Sequence, residues 1–225
     1  MMRPVASLAV CAAAAFASPL GAQRGEPMTV TRAVFEGDTF IVARADMGRV
    51  RLRMLSAGGG IGSYADAEAV LRRRGERMLL ATNGGLFDRG PIGLHYEDGR
   101  AVRGLNLDTA PPRGQKPGNF YYLPNGVLYQ DRAGNVAIRD SRHMRGRLGE
   151  VRDGTQSGPA LVLRGVVHPV ARPPNRGVAH ANRVAACVTG PRELAIVFVR
   201  QPSTFPRLAR FLLGRLGCRD AVFLD

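Results

Sequence analysis

Short apolar runs of strand length, each closed by a turn signal bearing glycine, proline or asparagine, constrain this 225-residue chain more than any other feature. Punctuation at that density favours β-sheet over a helical bundle. Residues 28–31, 39–43 and 50–54 alternate in the strand manner and are separated by Gly37-Asp38 and Met47-Gly48, which predicts a meander. Residues 93–96 turn at Glu97-Asp98-Gly99, and 119–123 turn at Pro124-Asn125-Gly126 into 127–129. Residues 136–138 turn at Arg139-Asp140-Ser141. A buried strand is expected over 158–163, led in by the polar Thr155-Gln156-Ser157 and followed by a hairpin to Val166-Val167. Another hairpin joins 183–188 to 193–199 across Thr189-Gly190-Pro191-Arg192.

Two stretches read as helix. Ser63 caps residues 64–74, which stop at Gly75; Ser203 caps 204–216, with Pro206 in the first turn and Gly217 as the stop. Leu208, Phe211, Leu212 and Leu216 form the apolar stripe of the second. The chain therefore ends strand, helix, strand. Were 193–199 and 220–225 in one sheet, they would run parallel through a right-handed crossover. The expected class is α/β of a mixed, α+β-like kind: a single domain of largely antiparallel sheets flanked by a few helices, ending in a β-α-β unit.

Residues 1–22 read as a signal peptide and short linker. Arg3 precedes the apolar run 8–17, and Ala15-Phe16-Ala17 fits a small-x-small cleavage site. The run is too short to span a bilayer, Val10 before Cys11 argues against lipoprotein processing, and no other window reads as a membrane span. The expected product is an exported periplasmic or secreted domain over 28–225, long enough for a sizeable core. Its formal charge of +14, from 32 Lys+Arg against 18 Asp+Glu, favours anionic partners. The basic residues are scattered and aromatics few, which weakens a specific nucleic-acid reading. Cys187 and Cys218 sit in small apolar contexts; a disulfide and two buried thiols both fit.

The apolar run 77–82 reads as a buried strand ending in Asn83-Gly84-Gly85, with Phe87 and Asp88 just beyond. Asn-Gly is a strong turn dipeptide, so the stretch alone fits a plain turn. Its company argues for more, because Asp225 would end a second buried strand, and ligands gather at the carboxyl ends of such strands. Other chemistries lack their signatures. Residues 57–62 are glycine-rich without a following Lys-Ser/Thr, so no P-loop is formed. Ser157 lies in Gln-Ser-Gly-Pro rather than a nucleophile elbow. His95, His143, His168 and His180 show no zinc spacing, there is no C-x-x-C, and neither metal nor cofactor is expected. Asp88, Glu97, Asp98 and Asp225 are the carboxylates beside glycine-rich or strand-end positions, and Arg176 could clamp a phosphate.

Asn83-Gly84-Gly85-Leu86-Phe87 with Pro91-Ile92-Gly93-Leu94 resembles the phosphodiester glycosidase family. The resemblance continues through Gly118-Asn119-Phe120, Pro124-Asn125-Gly126, Gln156-Ser157-Gly158-Pro159 and Asn175-Arg176-Gly177, to Leu216-Gly217-Cys218 and Leu224-Asp225, over roughly residues 75–225. It implies a hydrolase cutting the bond between a sugar's anomeric carbon and a phosphodiester oxygen, with a sugar-phosphate or envelope glycan as substrate. Residues carried over on the motifs are Asp225 and Asn83 as catalytic, and Arg176, Ser157, Gln156, Gly84, Gly85 and Asn119 as substrate-binding. The family pattern continues past Leu-Asp into a Gly-Gly and Ser-containing turn, whereas this sequence stops at Asp225, so the domain reads as truncated relative to the family. The alternative from another class is a non-catalytic envelope protein binding anionic polymer through its arginines.

Overall fold

The structure is a computed structural model that describes residues 26–56, 61–88, 90–116, 118–172 and 181–224. Among the described residues twelve strands form two antiparallel sheets. In chain order they are β1 (Met28–Phe35), β2 (Asp38–Asp46), β3 (His95–Glu97), β4 (Arg100–Arg103), β5 (Gly126–Asp131) and β6 (Val136–Asp140). These are followed by β7 (Val151–Ser157), β8 (Val162–Leu163), β9 (Val166–Val167), β10 (Ala181–Gly190), β11 (Glu193–Ser203) and β12 (Asp220–Phe223). One sheet has the order β1-β2-β11-β10-β12-β8-β9, the other β4-β3-β7-β5-β6. Leu128 and Ile138 of the smaller sheet pack against Ala186, Leu194, Ile196 and Val222 of the larger, making the core between them. The other face of the larger sheet packs on helix α2 (Phe205–Arg210), where Phe40 and Phe211 stack with ring centroids 3.8 Å apart.

The hairpins at Asp98-Gly99, at β8–β9 and at β10–β11 form as expected, and both Asp98 and Gly99 take positive φ (48° and 84°), as a tight two-residue turn demands. Helix α1 (Tyr64–Arg73) is capped by Ser63, whose side chain accepts from the Asp66 amide at 3.2 Å. β11 and β12 share a sheet and run in the same direction, each antiparallel to β10, which lies between them.

Several expectations need correction. The run 77–82 is not a buried strand: it is irregular and half-exposed, with Leu80 40% exposed, and it lines a cleft. A short apolar run such as Met78-Leu79-Leu80-Ala81 cannot by itself distinguish a sheet strand from an extended segment laid across one. Residues 50–54 run outside the sheets because side chains replace the ladder: the Leu52 amide donates to Gln130 Oε1 and the Met54 amide to Asp153 Oδ1, both at 3.0 Å. Asn119–Tyr121 is a 3₁₀ turn, and β5 pairs with β6 and β7 instead of with that segment. Thr155-Gln156-Ser157 are not a lead-in but the end of β7 itself; the chain then leaves the smaller sheet at Gly158-Pro159 and enters the larger at β8. Thr204 rather than Ser203 caps α2, which gives way to a π turn at Phe211–Arg215, while Ser203 closes β11 by donating to the Asp38 carboxylate.

Cys187 of β10 and Cys218, just before β12, form a disulfide across 31 residues of sequence. It resolves the alternative left by the sequence and fixes the return of the last strand to the sheet. Closing a loop of that length in the unfolded chain stabilises by about 4 kcal/mol. Reduction, or the double change Cys187→Ala/Cys218→Ala, is expected to lower the unfolding free energy by about that amount, read from urea denaturation with the slope fitted for each form, because the unfolded chain without the bond is less compact.

The buried Gln156 side chain, 1% exposed, ties three loops to the end of β7. Oε1 accepts from the Leu94 and Asn106 amides, both at 3.0 Å, and Nε2 donates to the Asn106 carbonyl at 2.6 Å and to Asn125 Oδ1 at 3.0 Å. Both N–H groups and both lone pairs of the amide are thereby used. Gln156→Ala leaves the buried Leu94 amide and Asn125 Oδ1, and two half-buried groups of Asn106, without this partner, and is expected to cost about 3 kcal/mol by chemical denaturation.

Candidate functional site

The Asn83-Gly84-Gly85 turn sits on the end of β7. A Cβ at Gly85 would lie 2.5 Å from Thr155 Oγ1 and 3.1 Å from the Gln156 carbonyl, so only glycine allows the approach. Gly93 packs against the next residue in the same way, its absent Cβ 2.6 Å from Gln156 Oε1. Between these glycines the chain closes a small loop through a Phe87–Pro91 bridge, and the Ile92 amide donates to the Leu86 carbonyl at 3.3 Å. Phe87 is left 71% exposed. Asn83 is exposed, and its Oδ1 accepts from the Tyr64 hydroxyl at 3.2 Å, which ties the turn to the first residue of α1.

The turn borders a cavity of about 1410 Å³. Met54, Leu71, Leu79, Ile196 and Leu224 give it an apolar floor and walls. Asn83, Thr155 and His95 supply polar groups, and the exposed Arg51 and Arg77 supply cationic ones. A largely apolar cleft with a few convergent polar groups is the usual form of a small-molecule site.

An ion cluster anchors the start of the segment that carries the turn. Arg53 pairs bidentately with Glu76, its Nε at 2.9 Å from Oε2, and reaches Asp153 Oδ2 and Asp98 Oδ1 at 3.4 Å each. The bond from Arg53 holds the Glu76 carboxyl below its ordinary range, and that same pairing raises the guanidinium. Burial pushes the Asp153 carboxyl up, against the amide bonds it accepts from Met54 and Asp98. Such a buried carboxylate is held by its donors rather than by solvent.

Of the residues the sequence singled out, Asn83, Gly84 and Gly85 line the cavity together. Gln156 lies beneath them with its amide engaged by protein groups. Ser157 is fully buried, and its hydroxyl is 3.4 Å from the carbonyl of Leu224, the residue before Asp225. Asn119 is half-exposed, and its carbonyl lies 3.2 Å from the position of a Gly158 Cβ. Arg176 and Asp225 lie outside the described residues. Asp88 is exposed on the loop beyond the turn, and Asp98 is committed to its hairpin and to Arg152 at 3.0 Å.

Sequence reasoning passed over Tyr64, Thr155 and the pairing of His95 with Glu97. The last had a signal: residues two apart on a strand share a face, so His95-Tyr96-Glu97 juxtaposes imidazole and carboxylate. Among the described residues no group of three or more His, Cys, Asp or Glu is placed to hold a metal ion, and no helix is long and apolar enough to cross a membrane.

An uncharacterised protein of Escherichia coli K12, YigE, is 28% identical over 153 residues, covering 66% of this chain; the match spans 56% of the relative's length. The catalytic domain of zebrafish N-acetylglucosamine-1-phosphodiester alpha-N-acetylglucosaminidase, solved auto-inhibited by its pro-peptide, superposes with a TM-score of 0.58 at 14% identity. That superposition covers 88% of this chain and 69% of the zebrafish one. It shows a shared fold. The phosphodiester glycosidase family model matches residues 76–225, from the Arg53-bound Glu76 through the glycine turn to the last strand. The chain belongs to the phosphodiester glycosidase family.

Proposed function

We propose that the protein is an exported hydrolase that cleaves the glycosidic bond of a sugar-1-phosphodiester. The observation that carries this reading is the seating of Asn83-Gly84-Gly85 on β7 at the edge of a cleft that also receives Arg51 and Arg77. In the reaction, water adds to the anomeric carbon as the bond from that carbon to the phosphodiester oxygen breaks. The sugar leaves with a free hydroxyl, the other product is a phosphomonoester, and one proton is released. Three needs follow: positive charge for the phosphate, an amide for the sugar hydroxyls, and a group that stabilises an oxocarbenium-like centre. Arg51 and Arg77 suit the first and Asn83 the second. Asp225 and Arg176 are the family-motif candidates for the charge-stabilising and phosphate-holding roles. Phosphate is already a good leaving group, so strong acid assistance is not required.

Support for export comes from the leader-like first 22 residues together with the Cys187–Cys218 disulfide, a bond that persists in oxidising compartments. A sugar phosphodiester of an envelope glycan is a substrate available there. The N-acetylglucosamine named for the zebrafish structural neighbour makes that sugar the first to try.

The test is release of free sugar from a panel of sugar-1-phosphodiesters, beginning with N-acetylglucosamine. Turnover is expected with the wild-type protein, and Asn83→Ala is expected to lower kcat/KM about a hundredfold, as for loss of one well-placed polar group. No turnover across the panel, with salt-sensitive binding to many polyanions instead, would replace this reading by that of a polyanion-binding envelope protein. Gly85→Ala probes the seating of the turn. The 2.5 Å contact with Thr155 Oγ1 must be relieved by moving the turn, so activity should fall while the fold survives; adding Thr155→Ala removes that contact and should restore part of the rate.

A further inference from the structure

We infer that His95, oriented by Glu97, is the group that takes the proton from the attacking water in this cleft. The inference rests on the hydrolytic reading above and assigns a residue to the proton that the reaction releases. His95 and Glu97 are two apart on β3, so their side chains stand on one face, with His95 Nε2 3.1 Å from Glu97 Oε1. An ionised carboxylate can only accept, so Nε2 donates to it, and in the neutral ring Nδ1 is then the lone-pair acceptor. Among the described residues Nδ1 has no hydrogen-bond partner, and it is not one of the sealed polar atoms that lack one. The residue is 7% exposed and is one of those that line the 1410 Å³ cavity. The ring is thus held in one orientation at the wall of the cleft.

Register brings it to the glycine turn. His95 pairs directly with Thr155 of β7, and Thr155 Oγ1 is the atom that Gly85 abuts. Side chains of directly paired residues stand about 5 Å apart on one face, so the imidazole is the next group along the sheet from the turn that carries Asn83. Glu97 lines a second, charged cavity with Arg53, Arg74, Glu76, Asp98 and Arg100, while His95 lines the large one. Arg103 of β4 is a further charged residue, paired with His95 across the hairpin. The arrangement is carboxylate behind, imidazole between, open cleft in front. When water adds to the anomeric carbon and the bond to the phosphodiester oxygen breaks, the water's proton passes to Nδ1. The resulting imidazolium is balanced by Glu97 and later returns the proton to solvent.

The test compares wild type, His95→Gln and Glu97→Gln on a sugar-1-phosphodiester that wild type turns over, with circular dichroism as the check on folding. His95→Gln is expected to lower kcat about a hundredfold with KM within about twofold, and to abolish the fall in kcat/KM on acidification. Glu97→Gln keeps the imidazole but loses its orientation and is expected to lower kcat by a smaller factor while displacing that acid limb. Imidazole ¹H–¹⁵N spectra of folded wild type give a second measurement that needs no variant. A proton on Nε2 of His95 is expected, with an Nδ1 shift that moves when N-acetylglucosamine 1-phosphate is added. Wild-type turnover with His95→Gln retaining both rate and acid limb, or a proton found on Nδ1, overturns the role of His95 and leaves the proposed reaction standing. Absence of wild-type turnover on any sugar-1-phosphodiester overturns the reaction itself and the proton role with it.

Discussion

The buried amide of Gln156 is the contact on which the geometry of the cleft depends. A primary amide taken out of water costs several kcal/mol unless its hydrogen bonds are replaced, and here all four are. Its partners come from three separate loops: Leu94 just before β3, Asn106 after β4, and Asn125 just before β5. No single hairpin could hold these loops in register with one another, because each belongs to a different turn of the chain. Glycine completes the arrangement. Gly85 and Gly93 abut consecutive residues of β7, Thr155 and Gln156, and the loop between them is pinned at both ends by the absence of a Cβ.

Electrostatics acts on the same segment from its other end. Arg53 gathers Glu76, Asp98 and Asp153, so the strand-like stretch 50–54, the start of the 76–87 segment, the β3–β4 hairpin and β7 meet at one guanidinium. Exposed ion pairs contribute little, but Asp153 is 1% exposed and its partners include two backbone amides. Removing Arg53 would take away the guanidinium that faces Asp153 in a poorly hydrated place. The segment bearing Asn83 is therefore not held by a sheet ladder at all. It is held by an ion cluster at Glu76, a tyrosine hydroxyl at Asn83 and a glycine contact at Gly85.

That explains which parts of the molecule were legible in the sequence. Local signals did well: the Asp98-Gly99 hairpin, the Ser63 cap and the β10–β11 hairpin are written in residues within a few positions of one another. The expected class of largely antiparallel sheets with few helices followed from them. What failed were the inferences that needed a partner from elsewhere. Residues 50–54 have a strand-like pattern, yet the Leu52 and Met54 amides are satisfied by Gln130 and Asp153, tens of residues distant, and residues 77–82 line the cleft outside both sheets. Thr155-Gln156-Ser157 looked like a polar approach to an apolar strand because the strand they belong to is buried on a polar network, which hydrophobic periodicity cannot register. For the site, the Asn-Gly-Gly turn was readable as a candidate, but its support on Thr155 was not, since a glycine contact depends on space rather than on pattern.

The division between positioning and reactive groups follows from hydrogen-bond capacity. Gln156 has none left, and Ser157 is fully buried with its hydroxyl directed at the Leu224 carbonyl, so either would have to break a protein contact before touching a ligand. Both stand where the chain passes from one sheet to the other. There Pro159 accepts from the Phe223 amide, and β12 is brought to the end of β7. Their work is to make two sheets end at the same place. Groups that face the cavity are left to meet a ligand: Asn83 on its turn, the arginines at the rim, and the imidazole of His95 with its carboxylate behind it. A site assembled in this way gains rigidity from residues that do no chemistry, and so the motif residues most deeply buried are the ones least suited to touch substrate.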